Sequence, residues 1–160
     1  MMRVGVFSDS HGDHAALDEL LEKMGHLDAA CFLGDVSRDA YHLEDRLAAM
    51  PGSPKVYAVR GNNDWGSILP LDQLIELGGV VIYMTHGHMI ASVQSLAYRA
   101  MEKGAKVALF GHTHAAFCEY MDGVMVLNPG SAGNYCRGGR ARASVMEIEH
   151  GCIRVVNFSL

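Results

Sequence analysis

The segment "KVALFGHTHAAF", residues 106–117, decides the fold class, because an apolar run stops there at a glycine followed by two histidines. Alternate residues of an extended chain share a face, so His112 and His114 are predicted to point to the same side. Gly111 lets the backbone turn sharply where the run stops. The segment therefore predicts a strand whose carboxyl end carries two imidazoles.

Four other apolar runs stop in the same way, at Asp, His or Asn. They are "RVGVFS" before Asp9-Ser10-His11, "AACFLG" before Asp35, "KVYAVRG" before Asn62-Asn63-Asp64, and "VVIYMT" before His86-Gly87-His88. In α/β sheets, ligands gather beyond the carboxyl ends of the strands, so we expect these side chains to converge.

Strand and helix patterns alternate through the first part of the chain. "HAALDELLEKMG", with Asp13 or Ser10 as its cap and Gly25 as its stop, and "SRDAYHLEDRLAAM", ended by Pro51, have helical periods. A third helix is predicted at about residues 92–103. The β-α-β-α-β order predicts parallel strands, whereas Gly78-Gly79 and Asp122-Gly123 predict hairpin turns. We therefore predict an α/β fold with two packed mixed sheets and helices outside, as a single domain over residues 1–160.

Composition excludes several classes of protein. The 160 residues are 49% hydrophobic with a formal net charge of −5, which is typical of a compact domain and unsuited to duplex nucleic acid. No apolar run reaches the ~18 residues of a membrane span and no secretory leader is visible, so we predict a cytoplasmic protein without a membrane partner. Ten methionines and exposed strands leave room for a homo-oligomer. The four cysteines, which form no CxxC pair, are interpreted as small buried hydrophobes: Cys31, Cys118, Cys136 and Cys152.

Oxygen and imidazole donors without thiolates are typical of a divalent site for manganese, iron, nickel, cobalt or zinc. Seven candidate ligands are too many for one tetrahedral ion, but they suit two ions ~3.5–4 Å apart if Asp35 bridges them. Such a pair holds a bridging hydroxide that attacks phosphorus in line, so hydrolysis of a phosphoric ester is the leading hypothesis. The candidates are Asp9, His11, Asp35, Asn62, His86, His112 and His114.

Taken alone, each of these residues has a simpler interpretation. A single Asp after a strand is most often a cap, and a single His is most often packed or solvated. We interpret the histidines outside the strand ends in that way; they are His14, His26, His42 and His150. The chain contains no G-x-G-x-x-G, no G-x-x-x-x-G-K-[ST] and no G-x-S-x-G motif.

Taken together and in order, the motifs resemble those of the calcineurin-like metallophosphoesterase superfamily. They are "D-S-H" at 9–11, "G-D" at 34–35, "G-N-N-D" at 61–64, "H-G-H" at 86–88 and "G-H-T-H" at 111–114. In its short length and in "N-P-G-S" at 128–131, the chain resembles the superfamily's small bacterial and archaeal phosphodiesterase branch. That branch also includes the retromer scaffold subunit.

This resemblance implies a four-layer αββα sandwich and a small phosphodiester substrate, with manganese first among the metals. It also implies one ion held by Asp9, His11, Asp35 and His114, and a second ion held by Asp35, Asn62, His86 and His112.

One position departs from the superfamily's pattern. The residue after the metal-binding Asn is usually a His, which acts as general acid or phosphate contact, but here it is Asn63. An amide donates a hydrogen bond but delivers no titratable proton. We therefore expect the metal ions to do most of the leaving-group work, which favours diesters with good leaving groups. Asp64, with no imidazole to orient, is left with a supporting or structural role.

Catalytic roles are predicted for Asn62, Asn63 and His88, and substrate contacts for Asn63, His88 and Arg140. For His88, an equal alternative is that it forms a hydrogen bond that holds a metal ligand in place and does not contact substrate. "NPGS" is expected to shape the wall of the site. The arginines of "CRGGRAR" either bind phosphate or belong to a solvated loop. Trp65 and Tyr135 either stack against an aromatic group or pack in the ordinary way.

Three other functions stay open at this point. A scaffold on the same fold would carry broken ligands, whereas all seven positions are intact here. A phosphomonoesterase would use the same donor set. A nucleotide-binding domain without hydrolysis would need a Gly-rich phosphate loop, which is missing.

Overall fold

The computed structural model describes residues 1–134 and 139–160. Its strands and helices alternate at first and give way to hairpins later, as the sequence predicts. In chain order they are β1 (Met2–Phe7), α1 (His14–Met24), β2 (Ala29–Phe32), α2 (Ser37–Ala48), β3 (Lys55–Ala58), β4 (Asp72–Leu77), β5 (Val80–Thr85), α3 (Val93–Glu102), β6 (Val107–Leu109), β7 (Phe117–Met121), β8 (Val124–Asn128), β9 (Arg142–Glu149) and β10 (Cys152–Ser159).

The strands form two mixed five-stranded sheets. The first sheet has the order β10-β9-β1-β2-β3, in which β1, β2 and β3 are parallel and β9 and β10 are antiparallel additions. The second sheet has the order β4-β5-β6-β8-β7, in which β5, β6 and β8 are parallel. The parallel strands of both sheets carry the motifs at their carboxyl ends, which positions the site.

Three apolar clusters separate four layers. One cluster packs α1 and α2 on the first sheet and includes Leu17, Leu20 and Leu43. The central cluster lies between the sheets and includes Val6, Ile82 and Leu109. The third packs α3 on the outer face of the second sheet through residues such as Leu96 and Phe110. The predicted αββα sandwich is therefore confirmed.

Local sequence explains where the elements begin and turn. The Asp13 side chain accepts a hydrogen bond from the Ala16 amide and caps α1, and Ser92 forms a capping box with Ser95 at the start of α3. The hairpin turns place both central residues at positive φ, as a type I′ turn requires. These pairs are Gly78-Gly79, Asp122-Gly123 and His150-Gly151.

The prediction for the cysteines is only partly correct. Cys31 is buried on the central strand β2, whereas Cys118 and Cys152 are exposed on β7 and β10. These two strands lie at the edges of their sheets, where one face meets water, so an apolar run does not imply burial there. Cys136 lies outside the described residues. None of the helices in the described ranges has the length and apolarity needed to cross a bilayer.

Candidate metal centre

The seven predicted ligands come together at one end of the two sheets. Asp9 and His11 follow β1, Asp35 follows β2 and Asn62 follows β3, whereas His86 follows β5 and His112 and His114 follow β6. Asp9, His86 and Asp35 are buried and form the floor of the site. Asn62, His11, His112 and His114 are exposed or half-buried at its mouth. The first sheet thus supplies the carboxylates and the second sheet supplies most of the imidazoles.

The nitrogen and oxygen atoms that could bind a metal ion, called donor atoms below, form two groups. One group surrounds Asp9. The Nε2 atom of His114 lies 3.2 Å from Asp9 Oδ1 and 3.3 Å from Nε2 of His11. His11 Nε2 also lies 3.9 Å from Oδ1 of Asp9 and 3.9 Å from Oδ2 of Asp35. Donors that bind one ion at about 2.1 Å stand roughly 3.0–3.4 Å from each other, so the closest pairs here match the edges of a coordination polyhedron.

A second group of donor atoms surrounds Asn62. The amide oxygen of Asn62 lies 3.1 Å from His86 Nε2 and 3.1 Å from His112 Nδ1. His86 Nε2 in turn lies 3.5 Å from Oδ1 of Asp35. Asp35 therefore places one oxygen near each group, and Oδ1 of Asp9 likewise lies 3.8 Å from His86 Nε2, so both carboxylates stand between the two groups.

The protonation of His86 can be read from its surroundings. Its Nδ1 atom lies 2.7 Å from the carbonyl oxygen of Leu33, which accepts a hydrogen bond but cannot donate one. Nδ1 therefore carries the proton, and the Nε2 lone pair faces Asp35 and Asn62. Metal-binding histidines usually have such a carbonyl contact on the second ring nitrogen. The arrangement of donors fits a divalent ion.

The backbone of the site is strained. Five of the seven residues have φ between 49° and 67°, a region that non-glycine residues seldom adopt: Asp9, His11, Asp35, His112 and His114. Strain of this kind persists only where the surrounding structure enforces it, and it clusters at functional sites. The left-handed turns aim consecutive motif residues into the same space.

Two glycines allow backbone segments to approach the carboxylates. A Cβ atom on Gly61 would lie 2.0 Å from Oδ1 of Asp35, and one on Gly111 would lie 1.9 Å from the Ser8 hydroxyl. These distances are far below contact distance, so no other residue fits without moving the site.

Polar residues outside the seven predicted ligands hold the ligand loops in place. The Ser8 hydroxyl and the His112 amide donate to Oδ2 of Asp9 at 2.5 and 2.9 Å. The buried amide of Asn128 donates to the Gly111 carbonyl and to the Thr113 hydroxyl, each at 3.0 Å. The expectation that "NPGS" shapes the site agrees with these contacts, and Thr113 anchors its loop as well as spacing the two histidines.

Asn63 and Asp64 stand beside the second donor group. The Asn63 side-chain amide donates to Oδ2 of Asp35 at 2.9 Å, and its backbone amide donates to Oδ1 at 3.1 Å. One side-chain hydrogen of Asn63 is thus engaged with Asp35 while the residue stays exposed. Asp64 is buried and accepts hydrogen bonds from the amides of Gly61, Asp35 and Ser37. It is a structural residue that fastens the Asn62 loop to the start of α2.

His88 lies at the edge of the centre, with its ring centroid 5.5 Å from that of His86 and 6.3 Å from that of His112. Its Nδ1 atom is buried without a hydrogen-bond partner in the described part of the chain. Burial lowers the pKa of His88 below its ordinary value, and repulsion from the imidazoles of His86 and His112, whenever these are protonated, lowers it further. The ring is therefore neutral at pH 7 and offers one donor and one acceptor.

The structure has different outcomes for the arginines and aromatic residues considered in the sequence analysis. Arg140 is exposed and makes no contact with the donor groups within the described ranges, so its predicted role as a substrate contact stays a prediction. Arg137 and Tyr135 lie outside the described residues. Trp65 is 92% exposed, so the alternative of ordinary packing is wrong for this side chain.

Comparison with known proteins identifies the family. The family model of the calcineurin-like phosphoesterase superfamily domain matches residues 2–151. The probable metallophosphoesterase YsnB of Bacillus subtilis is 33% identical over 134 residues, which cover 81% of this chain and 75% of that protein. A phosphodiesterase of Methanocaldococcus jannaschii is 27% identical over 155 residues, which cover 86% and 88% of the two chains.

Structural comparison gives the same fold. The structure of Vps29 from Chaetomium thermophilum superimposes with a TM-score of 0.77 and covers 100% of this chain and 97% of its own, at 19% identity. This likeness concerns the fold alone. The match over residues 2–151 establishes that the chain belongs to the calcineurin-like phosphoesterase superfamily, a family of metal-dependent phosphoesterases.

Proposed function

We propose that this protein is a phosphodiesterase that works with two divalent metal ions, manganese first among them. The observation that carries the proposal is the division of the donor atoms into two groups that share Asp35. Asp9, His11, Asp35 and His114 would hold one ion, and Asp35, Asn62, His86 and His112 the other. A pair of bound ions supplies Lewis-acid activation of water and neutralises charge on the phosphoryl group.

The chain's own residues would position the ester and handle its polar groups. Asn63 has a second amide hydrogen, beyond the one engaged with Asp35, that is free for a phosphoryl oxygen. His88 is neutral and borders the site, which suits a hydrogen bond to the same group rather than an ion pair. The strained loops hold these groups in place before the substrate arrives, which reduces the reorganisation needed for reaction.

Asn63 bears on which leaving groups the proposed phosphodiesterase would accept. An amide cannot protonate an alkoxide leaving group, so esters with good leaving groups should react best. The related phosphodiesterase of Methanocaldococcus jannaschii supports a diester substrate. The Vps29 likeness supports a scaffold only through the fold, whereas the intact donor set favours an enzyme.

The first experiment measures turnover and metal content together. Purified protein is assayed with a series of divalent ions on bis(p-nitrophenyl) phosphate and on p-nitrophenyl phosphate. We expect faster hydrolysis of the diester and two ions bound per chain. Absence of turnover with every ion would exclude an enzyme in favour of a scaffold, a faster monoester would indicate a phosphomonoesterase, and one ion per chain would contradict the paired site.

Variants then test the individual ligands. Asp35→Asn and His112→Ala should each lower kcat/KM by about 100-fold or more, because each removes a donor atom from the proposed site. His26→Ala is the matched control, since the His26 side chain is exposed and bonds only to Asp28 within the described residues. If the ligand variants keep the activity of the control, the assignment is wrong.

A further variant tests the role of position 63. Asn63→His restores a titratable group beside the second donor group, so the rate should depend less steeply on the basicity of the leaving group. The assay compares a series of aryl methyl phosphates of increasing leaving-group pKa. An unchanged slope would show that position 63 does not limit leaving-group departure.

A further inference from the structure

A cavity of about 330 Å³ opens directly beside the donor groups and is not used by the ligand assignment above. It is of the size typical of small-molecule sites. The proposed metal ligand Asn62 forms one wall and His88 another, so a molecule in this cavity lies next to the reacting centre. The remaining wall residues are Arg60, Gly61, Asp64, Trp65, Gly66 and Leu71.

Trp65 gives this cavity an aromatic wall. Its side chain is 92% exposed, although an indole is among the largest apolar groups and is seldom left in water. The adjoining backbone is held firmly, because the Asp64 carboxylate accepts three amide hydrogen bonds and the Ser67 amide donates to the Asp64 carbonyl at 3.2 Å. An exposed indole on a firmly held loop at the mouth of a cavity is suited to stacking with a planar ligand.

Arg60 gives the same cavity a positive charge. It makes no ion pair within the described residues, and its guanidinium has only a long 3.4 Å contact with the Ser67 carbonyl. A half-buried guanidinium without a carboxylate partner is available to an anion, and its planar donors match phosphate oxygens. The cavity therefore combines an aromatic face, a cation and the edge of the donor cluster.

We propose that this cavity is a subsite for the base of a nucleotide-type phosphodiester, with the ring stacked on Trp65 and Arg60 contacting a phosphoryl oxygen. The proposal rests on the proposed phosphodiesterase function and narrows its substrate class. A diester of purely aliphatic alcohols would satisfy the donor cluster but would leave the indole in water. Base stacking on a single aromatic side chain raises affinity by about tenfold or more.

Binding can be measured without turnover, because Trp65 is the only tryptophan of the chain. Its fluorescence is titrated with adenosine 5′-monophosphate and with ribose 5-phosphate, which differ only in the base, in the presence of Zn²⁺. We expect quenching by the nucleotide and an affinity about tenfold higher than for ribose 5-phosphate, measured for the latter by competition. Equal affinities would overturn the proposal.

Turnover supplies the second measurement. The ratio of kcat/KM for the dinucleotide ApA to that for the aliphatic diester glycerophosphocholine should fall about tenfold in Trp65→Ala and recover in Trp65→Phe. Ile68→Ala is the matched control, because Ile68 is 91% exposed in the same loop but does not line this cavity. An Arg60→Gln variant should weaken the nucleotide and ribose 5-phosphate alike, since both carry the phosphate.

The two proposals fail in different ways. If diesters are hydrolysed while the ratio stays constant in Trp65→Ala, the subsite is wrong and the phosphodiesterase stands. If no diester is hydrolysed with any ion, the phosphodiesterase is wrong, and the fluorescence titration alone decides whether the base-binding cavity exists.

Discussion

Asp64 is expected to stabilise the fold, although it is the last residue of the family motif "G-N-N-D" at 61–64. Its Oδ2 atom accepts hydrogen bonds from the amides of Gly61 at 2.7 Å and Asp35 at 3.1 Å, and its Oδ1 atom accepts one from Ser37 at 2.7 Å. Ser37 begins α2, whose preceding residue Val36 has no side-chain capping bond. The buried carboxylate therefore serves as the cap of that helix from another part of the chain.

The substitution Asp64→Asn keeps the shape of the side chain but leaves one oxygen to serve three amides. If this oxygen keeps the Gly61 and Asp35 bonds, the new NH₂ group faces the Ser37 amide, donor against donor. The loss of one charge-assisted hydrogen bond costs about 1.5–3 kcal/mol, and the weaker interaction with the helix dipole adds about 0.3–1 kcal/mol. The free energy of unfolding should fall by about 2–4 kcal/mol.

Thermal denaturation measures this difference. For a chain of this size the midpoint should drop by roughly 5–15 °C. Asp45→Asn provides the control, because Asp45 is exposed on the same helix and the substitution changes the net charge equally. A drop no larger than that of the control, which should stay within about 0.5 kcal/mol of the wild type, would refute the structural role of Asp64.

Three further predictions concern other parts of the structure. Asn128→Ala should lower metal affinity about 10–100-fold, because the histidine loop loses two hydrogen bonds; calorimetric titration with Mn²⁺ that matches the wild type would contradict this. Gly61→Ala should lower metal affinity at least about tenfold by displacing Asp35, and a crystal structure with Asp35 unmoved would contradict it. Burial raises the pKa of the Cys31 thiol from 9.0 to about 12. The stability that depends on keeping this buried thiol protonated is therefore fully present below pH 9.0 and is lost as the pH rises toward 12. A thiol reagent at pH 8 should label Cys118 in the folded protein and Cys31 only in denaturant; rapid labelling of Cys31 without denaturant would show that it is accessible.

The architecture could be predicted because its determinants are local. Each parallel strand is a short apolar run followed by a polar motif, and each hairpin has a turn that requires positive φ. Asp13 and Ser92 mark the starts of two helices in the sequence. By contrast, α2 has no such signal, since its cap is Asp64, 27 positions further along the chain than Ser37.

The support of the site could not be predicted, because it depends on contacts between distant segments. Nothing local distinguishes Ser8 from an ordinary polar residue near a strand end, and "NPGS" marks Asn128 without indicating its partners, yet both residues bond to the loops that carry the ligands. The exposed face of Cys118 and the exposed ring of Trp65 are likewise decided by neighbours in space. A single sequence shows which groups converge but not which atoms hold them there.

The order of strands in the first sheet has a consequence for how the protein matures. All seven donor residues have been synthesised once the chain reaches His114, but Asp9 follows a strand that lies between β2 and β9, and β9 ends only at Glu149. The loop of Asp9 is also fixed by Ala132, whose amide donates to Ser8. A ribosome-bound chain therefore carries every donor before it has a site, and we expect metal loading to follow completion of the chain rather than to nucleate its folding.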